Sequence, residues 1–316
     1  MAAHYLEFER PIGELEAKIE ELSKLSDTAG PGSFDAEIAA LRRRVADLRR
    51  ETYAHLDAWQ KTQIARHPQR PHFVDYVSGL IEEFVELRGD RAYADDQAIM
   101  GGLGRFRGQP VMVVGQEKGH DTTTRIKHNF GLARPEGYRK AVRLMDLAER
   151  FALPVISLVD TQGAYPGLES EERGVAEAIA RGTERCLTLG VPMVCVITGE
   201  GMSGGALGIA AANKVMMLEH SVYAVITPEG CASILMRDGS KAEGAAKAMK
   251  ITAQDLITSK VIDRIIPEPP GGAHADPAAT IKAVGDAVEE ELRALAPLSA
   301  KQLKAQRAQR FLAIGR

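Results

Sequence analysis

The residues best suited to chemistry are five glycines within the ten positions from Gly199 to Gly208. The apolar run Pro192–Thr198 precedes them and predicts a buried strand, and the small apolar run Ala206–Ala212 predicts a closely packed helix. Glycine allows close approach of a ligand, and the first turn of a helix carries N–H groups without helical acceptors. The stretch therefore predicts a backbone site for a phosphate, a carboxylate or an oxyanion. The alternative is that glycine only gives a helix room to pack on a strand.

A second small-residue turn, Asp160–Gly167, follows another apolar run, Val155–Asp160. Gly163–Ala164 and Gly204–Gly205 thus end successive predicted strands, and we expect them to present N–H groups to one cavity. Such a site stabilises a developing oxygen anion without any side-chain nucleophile. Loss of one donor from such a site typically raises the barrier by about 3–4 kcal/mol.

Ser203 supports a competing hypothesis, because Gly201–Gly205 matches G-x-S-x-G, the nucleophile elbow of serine hydrolases. That mechanism needs an acid and a histidine further along the chain. His274 is a candidate histidine, although it lies in a proline- and glycine-rich stretch, and the candidate acids are Asp238, Asp255 and Asp263. A five-residue match is weak in a chain with 30 glycines, so we favour Ser203 as a small turn residue.

The polar segment Lys118–His128 is a candidate for binding phosphate or carboxylate, with an exposed loop and helix as the alternative. The sequence contains no P-loop and no dinucleotide-binding fingerprint after a strand, so we expect no nucleotide hydrolysis by this chain. Cys186, Cys195 and Cys231 are widely separated and form no C-x-x-C pair. We therefore expect buried, reduced thiols and no metal site.

The elements that would position these turns recur about every 40 residues. Pro110, Pro154 and Pro192 each stand at the start of an apolar strand, and a glycine-containing turn follows each strand. Helical patterns occur at Tyr76–Leu87, Pro135–Phe151, Glu171–Leu189 and Pro277–Leu295. Either a doubly wound sheet or a spiral of ββα turns fits this pattern. Two short strands, after Asn213 and after His220, favour the spiral.

Helical segments flank this α/β core. Two apolar stripes, within residues 12–25 and 38–48, predict an N-terminal helical hairpin broken at Ala29–Ser33. The hairpin is either a solvated appendage or a clamp on a partner chain. Arg66–His72 predicts a non-helical link into the core. Basic residues recur at helical spacing in the tail and predict a solvated face: Lys301, Lys304, Arg307 and Arg310. We thus expect a hairpin at 1–66, a core at 67–272 and a C-terminal helical segment at 273–316.

Composition excludes several classes of protein. The 316 residues are 45% apolar and 26% charged, which is typical of a globular chain. A net charge of −3 argues against a nucleic-acid surface. No apolar run reaches the length of about 18 residues that a membrane span needs, and the first ten residues do not resemble a signal peptide. We therefore expect a cytoplasmic protein.

Several motifs in order resemble the alpha subunits of the bacterial acetyl-coenzyme A carboxylase carboxyltransferase, over almost the whole chain. This resemblance implies a crotonase-like ββα spiral that transfers the carboxyl group of carboxybiotin to acetyl-CoA and gives malonyl-CoA for fatty acid biosynthesis. The motifs are Arg66–Pro71, Gly89–Arg91, Arg134–Lys140, Asp160–Gly167, Gly204–Leu207 and Pro228–Ala232.

The resemblance also implies partners and cofactors. A zinc-containing beta subunit would bind the acetyl-CoA, in an assembly of two alpha and two beta chains. The biotin would be held on the biotin carboxyl carrier protein, and biotin carboxylase would belong to the wider complex, whose overall reaction is associated with ATP and nucleotide binding. This chain alone is expected to be inactive.

The resemblance finally assigns site residues. The N–H groups of Gly204 and Gly205 would hold the ureido oxygen of biotin, with Gly163 and Ala164 as further catalytic candidates. Two residues depart from the family pattern, since Gln162 stands where other members often have proline, and Met202 stands where many have glycine. The candidates for the biotin pocket are Tyr165, Pro166, Gly167, Met202 and Ser203.

Overall fold

The computed structural model describes residues 4–29 and 34–315, so most of the predicted hairpin break at Ala29–Ser33 lies outside the described residues. The described chain is an α/β protein built on one mixed sheet. Its strands are β1 (Ile81–Glu86), β2 (Ile99–Phe106), β3 (Gln109–Gln116), β4 (Val155–Thr161), β5 (Met193–Met202), β6 (Lys214–Leu218), β7 (Val222–Ala224) and β8 (Arg264–Ile266).

Helices cover both faces of the sheet and both ends of the chain. None of the described helices is long and apolar enough to cross a bilayer. The helices are α1 (Arg10–Ala29), α2 (Asp35–Ala54), α3 (Ala58–Ala65), α4 (Phe73–Leu80), α5 (Thr122–Lys127), α6 (Pro135–Arg150), α7 (Leu168–Glu172), α8 (Val175–Thr188), α9 (Ser203–Ala210), α10 (Pro228–Met236), α11 (Ala242–Met249), α12 (Ala253–Thr258), α13 (Pro277–Leu295) and α14 (Ala300–Leu312).

The sheet has the order β1-β2-β3-β4-β5-β6-β8, with antiparallel pairing as far as β3 and parallel pairing beyond it. Strand β5 is long enough to have two partners on its outer side. Val194–Ile197 pairs with β6, and Glu200–Met202 pairs with β7. The chain therefore leaves the main sheet and returns to the end of β5, as a ββα spiral requires. This confirms the spiral over the doubly wound sheet.

The core consists of two layers, one on each face of the sheet. Helices α6, α8 and α9 cover the first, where Tyr138, Leu144 and Ile209 are fully buried. Helices α4 and α13 cover the second, around Tyr76 and Val284. Both central strands, β4 and β5, are buried along their whole length, because a parallel sheet is covered on both faces.

Three predicted boundaries were wrong. The helix expected at Tyr76–Leu87 ends at Leu80, and Ile81 begins β1, where bulky side chains suit a pleated edge strand. The helix expected at Glu171–Leu189 is interrupted at Gly174, whose φ of +74° places it in the left-handed region. The glycine-rich turn is shorter than expected, since β5 continues through its first glycines to Met202.

The two ends of the chain differ in how they meet the core. Helices α1 and α2 form the predicted hairpin, linked by Arg49 to Glu16 at 2.6 Å and by Lys18 to Glu37 at 3.7 Å. In the tail, Lys301 is exposed as expected, but Arg307 is fully buried. The prediction of a fully solvated basic face on α14 was therefore wrong. The domain limits at residues 66 and 272 stay a prediction.

Candidate active site

The junction of β5 and α9 brings several backbone N–H donors together at the start of a helix. Ser203 begins α9 with φ +57°, so the chain turns sharply from strand to helix without an intervening loop. The first four N–H groups of a helix have no acceptor inside it. Met202, the N-cap residue of α9, gives these groups no side-chain acceptor. Together with the positive end of the helix dipole, the N–H groups of this first turn make the junction a candidate anion site.

The second glycine turn lies directly against this helix start, as the sequence predicted. A Cβ atom on Gly205 would lie 2.4 Å from the carbonyl carbon of Gly163 and 2.6 Å from the nitrogen of Ala164. The N–H of Gly163 donates to Thr161 Oγ1 at 3.1 Å and is therefore engaged. The donors available on the two turns are thus the N–H groups of Ala164, Gly204 and Gly205.

Hydrogen bonds from neighbouring elements hold Gly205 in place. Its carbonyl oxygen accepts from Gln116 Nε2 at 3.1 Å and from the hydroxyl of Tyr138 at 3.4 Å. Both donors are buried, on β3 and α6 respectively. The start of α9 is therefore fixed by the main core rather than by a loop, which pre-organises its N–H groups.

The remaining pocket candidates occupy different environments. The Arg134 guanidinium lies 4.6 Å from the centre of the Tyr165 ring, and the same ring covers Gly167. Pro166 is exposed. The Met202 side chain is fully buried in a small cluster with Val222 and other apolar residues, so only its backbone faces the junction. The binding roles predicted for these residues stay predictions.

An apolar cleft of about 500 Å³ opens beside the helix start. Ser203 and Gly204 form one edge of it, and β7, α12 and the end of α14 form its other walls. The large apolar residues that line it include Leu207, Tyr223, Val225, Met249, Ile251, Leu256, Val261, Phe311 and Ile314. A ligand with one polar edge and an apolar body would place that edge on the N–H groups and its body in this cleft.

Behind the junction lies an ionic cluster that the sequence reasoning missed. The fully buried carboxylate of Glu200 contacts Arg66 Nε at 2.7 Å, Lys118 Nζ at 3.3 Å and Gln162 Nε2 at 3.0 Å. Lys118 also contacts Asp160 at 2.5 Å, and Asp160 accepts a hydrogen bond from the Glu200 N–H at 2.9 Å. The cluster therefore ties the ends of β4 and β5 to the link before α4.

Lys118 keeps its charge at neutral pH. Burial alone would lower the pKa of Lys118, but the carboxylates of Asp160 and Glu200 outweigh it and hold that pKa above its usual range. The signal for this cluster in the sequence was Glu200, an acidic residue inside an otherwise apolar strand, because a buried charge without a partner is energetically costly. Its partners are distant along the chain and could not be read from spacing.

The serine hydrolase constellation is not assembled. Ser203 has the backbone turn that a nucleophile elbow requires, but no histidine or carboxylate lines the cleft beside it within the described chain. His274 instead stacks on His67, with ring centres 3.6 Å apart. The candidate acids have other partners, namely Ser240 for Asp238, Thr252 for Asp255 and Val215 with Arg310 for Asp263.

The three cysteine thiols differ in burial. Cys186 and Cys195 are buried as predicted, and burial raises the pKa of Cys186 to about 12, so this thiol stays protonated at neutral pH. Cys231 is partly exposed, so the prediction of a buried thiol was wrong at this position. Within residues 4–29 and 34–315, no group of three or more histidine, cysteine or acidic side chains is arranged to hold a metal ion.

Solved structures of a transcarboxylase and of a carboxylase subunit share the fold of this chain. A transcarboxylase 12S chain aligns with a TM-score of 0.56 at 19% identity, over 70% of this chain and 42% of that one. The beta subunit of Pseudomonas aeruginosa geranyl-CoA carboxylase aligns with a TM-score of 0.53 at 19% identity, over 72% of this chain and 43% of that one. At these identities the likeness shows the fold alone.

Sequence comparison gives the family. The family model for acetyl co-enzyme A carboxylase carboxyltransferase-like proteins matches residues 5–315, and the chain belongs to this family. The acetyl-coenzyme A carboxylase carboxyl transferase subunit alpha of Caulobacter vibrioides strain NA1000 is 72% identical over 316 residues, which is 100% of this chain and 99% of the relative. The subunit alpha of Methylobacterium nodulans is 62% identical over 312 residues, which is 99% of this chain and 98% of the relative. The serine hydrolase hypothesis finds no support here.

Proposed function

We propose that this chain is the alpha subunit of an acetyl-CoA carboxylase carboxyltransferase. Together with a beta subunit it transfers the carboxyl group of carboxybiotin to acetyl-CoA and produces malonyl-CoA for fatty acid biosynthesis. The observation that supports this most strongly is the set of N–H groups in the first turn of α9, which packs against Gly163–Ala164. Full-length relatives named as subunit alpha support the same assignment.

Biotin supplies the transferable carboxyl group when the carrier protein presents it. The N–H groups of Gly204 and Gly205 hold the ureido oxygen, where negative charge develops during transfer. Because Gly205 is buried and fixed by Gln116 and Tyr138, these donors need no reorganisation as the charge grows. The N–H of Ala164 is the third candidate donor, and no side-chain nucleophile is required.

The proposal places the remaining parts of the reaction on other chains. A zinc-containing beta subunit binds acetyl-CoA, and two alpha and two beta chains form the active assembly in the cytoplasm. The biotin carboxyl carrier protein delivers the cofactor. We assign any ATP or nucleotide binding to the biotin carboxylase of the wider complex, because this chain lacks a P-loop. This chain alone should not catalyse transfer.

Deleting one N–H group tests the proposed site. Gly205→Pro is unsuitable, because any atom added at Gly205 meets the Gly163 backbone. Gly204→Pro is preferable, since proline is tolerated in the first turn of a helix and removes the N–H. In the purified assembly with a beta chain, malonyl-CoA decarboxylation in the presence of free biotin should fall about 10²–10³-fold.

Gly204→Ala is the matched control, because it keeps the N–H and adds a methyl group that meets only the Ile179 side chain, at 3.1 Å. This variant should stay within about threefold of the parent rate, since all donors remain. Circular dichroism and size-exclusion chromatography would establish that both variants fold and assemble. A near-normal rate in correctly assembled Gly204→Pro protein would overturn the proposed role of these N–H groups.

A further inference from the structure

A buried arginine that bonds backbone carbonyl oxygens fastens the C-terminal helix α14 to the core. Arg307 is fully buried, and its guanidinium donates to the carbonyl oxygens of Cys186 and Leu189 and, at 3.2 Å, to that of Val191. These carbonyls lie at the end of α8 and just beyond it, where the helix dipole favours a cation. Burial lowers the pKa of Arg307 to about 10, so the group stays charged at neutral pH.

Further bonds fix the rotation of α14 about its own axis. Asn213 Nδ2 donates to the carbonyl oxygen of Leu303 at 3.0 Å. One turn beyond Arg307, Arg310 bonds Asp263 at 2.9 Å and the carbonyl oxygen of Val261 at 2.6 Å. Because these contacts lie on successive turns of the helix, one fixed face of α14 packs on the core.

This rotation places two apolar side chains of the tail in the apolar cleft. Phe311 and Ile314 line the cleft together with Gly204, whose N–H belongs to the anion site. The intervening Leu312 does not line the cleft, and its side chain is 62% exposed. The end of α14 therefore contributes a wall of the site although it lies about 100 positions from Gly204 in the sequence.

We propose that α14 is a substrate-positioning wall of the transfer site. The inference rests on the proposed function, because it takes biotin as the ligand. Biotin has one polar ureido edge on an otherwise apolar bicyclic ring. With the ureido oxygen on the N–H groups of α9, the apolar ring lies in the cleft against Phe311 and Ile314. Arg307 touches no ligand and acts as a positioning residue that keeps these two side chains in place.

Alanine substitutions along α14 test the wall. In the purified alpha–beta assembly, Phe311→Ala and Ile314→Ala should each raise the KM for free biotin about tenfold, because part of the apolar contact with the ring is lost. Their kcat should stay within about twofold, since no N–H donor changes. Leu312→Ala, the matched control on the same turn, should change neither constant. Equal KM values for all three variants would overturn the proposal.

Arg307→Lys tests the positioning role separately. A lysine ammonium cannot bond all three carbonyl oxygens in the planar arrangement of the guanidinium, so the wall loosens and the KM for biotin rises about as much as in Phe311→Ala. Ile38→Ala, in the buried seam of the hairpin, is a control for stability loss remote from the cleft. It should lower the melting temperature without changing the KM for biotin. If the KM for biotin rises in step with the loss of melting temperature in both Arg307→Lys and Ile38→Ala, the positioning role is contradicted.

The outcomes separate this inference from the proposed function. If the parent assembly decarboxylates no malonyl-CoA with biotin, the proposed function fails. If the parent is active but the cleft variants match Leu312→Ala, only the inference fails. Impaired alpha–beta assembly in Phe311→Ala and Ile314→Ala, with unchanged KM in the assembled fraction, would show that the beta chain covers the cleft and would also overturn the inference.

Discussion

Positions 204 and 205 differ in how strictly their packing requires glycine. At Gly205 there is no room for a side chain, because the backbone of Gly163–Ala164 occupies the space that a Cβ would fill. At Gly204 a Cβ would meet only the flexible Ile179 side chain. Close approach of two backbones thus explains Gly205 and confirms tight packing there, whereas anion binding by the glycine pair stays a prediction.

This difference predicts unequal effects on stability. Gly205→Ala should lower the free energy of unfolding by about 3 kcal/mol, because overpacking against backbone cannot be relieved by a rotamer change. Gly204→Ala should change it by at most about 1 kcal/mol, since the gain in helix propensity offsets the contact with Ile179. Urea unfolding of the two purified variants measures this. A similar decrease in the free energy of unfolding for both variants would contradict this difference in packing between Gly204 and Gly205.

Residue types and spacing predicted that the two glycine turns meet, but they did not predict the groups behind those turns. The glycine pair and Gly163–Ala164 could be recognised because glycine repeats at strand ends carry a local signal. Arg66 and Glu200 could not be paired from the sequence, since 134 positions separate them. Likewise, the basic spacing of the tail suggested a solvated face for Arg307, because a buried arginine bonded to carbonyl oxygens has no signature in the sequence.

At the scale of elements, the parallel strands were predicted better than the edges of the sheet. Strands β3 to β5 are long apolar runs with proline next to their start, and both features are local. Strand β1 was taken for helix because its residues, Ile81–Glu86, alternate too weakly to exclude a helical pattern. Strand β8 was missed because Arg264–Ile266 has only three residues, and its pairing with β6 creates it.

One buried ion pair joins two elements that lie far apart in sequence. The guanidinium of Arg70, before α4, bonds both carboxylate oxygens of Glu268, after β8, at 2.9 and 2.6 Å. Both side chains are almost fully buried. Burial alone would raise the pKa of Glu268, but Arg70 outweighs it and lowers that pKa to about 2 from its ordinary value of 4.5.

This lowered pKa makes stability depend on pH. The ionised Glu268 contributes at most about 3 kcal/mol, fully present above the unfolded-state pKa near 4.5 and lost as pH falls toward 2. Glu268→Gln should lower the free energy of unfolding by about 3–5 kcal/mol at pH 7, because Arg70 is left buried without its charge partner. That loss should shrink by about 1 kcal/mol between pH 7 and pH 4.

Urea unfolding at the two pH values measures the effect. Glu177→Gln is the control, since Glu177 is 64% exposed and its bond with Arg181 lies on the surface of α8. The control should stay within about 0.5 kcal/mol of the parent at both pH values. If Glu268→Gln lowers the free energy of unfolding by the same amount at both pH values, Glu268 is not the group that titrates.

At the scale of the whole molecule, the N-terminal hairpin is the part least joined to the rest. Helices α1 and α2 pack chiefly on each other. Contacts with the core include Tyr53 against the His220 ring, with centres 5.6 Å apart, and His67 Nε2 to the carbonyl oxygen of His4 at 2.9 Å. The sequence pattern favours an appendage and a clamp on a partner chain equally, and either role suits an element with few core contacts.

Hydrogen exchange distinguishes these two roles. In the chain alone, amides of α1 and α2 should exchange at least about tenfold faster than those of β3 to β6, because elements with few core contacts open below the global free energy of unfolding. If the hairpin clamps the beta subunit, adding that subunit should slow exchange in α1 and α2 by a similar factor. Exchange in α13, which packs on the sheet, is the internal reference and should not change. Uniform exchange rates across the hairpin and the sheet in the isolated chain would mean that the molecule unfolds as one unit. The hairpin would then have no role separate from that of the core.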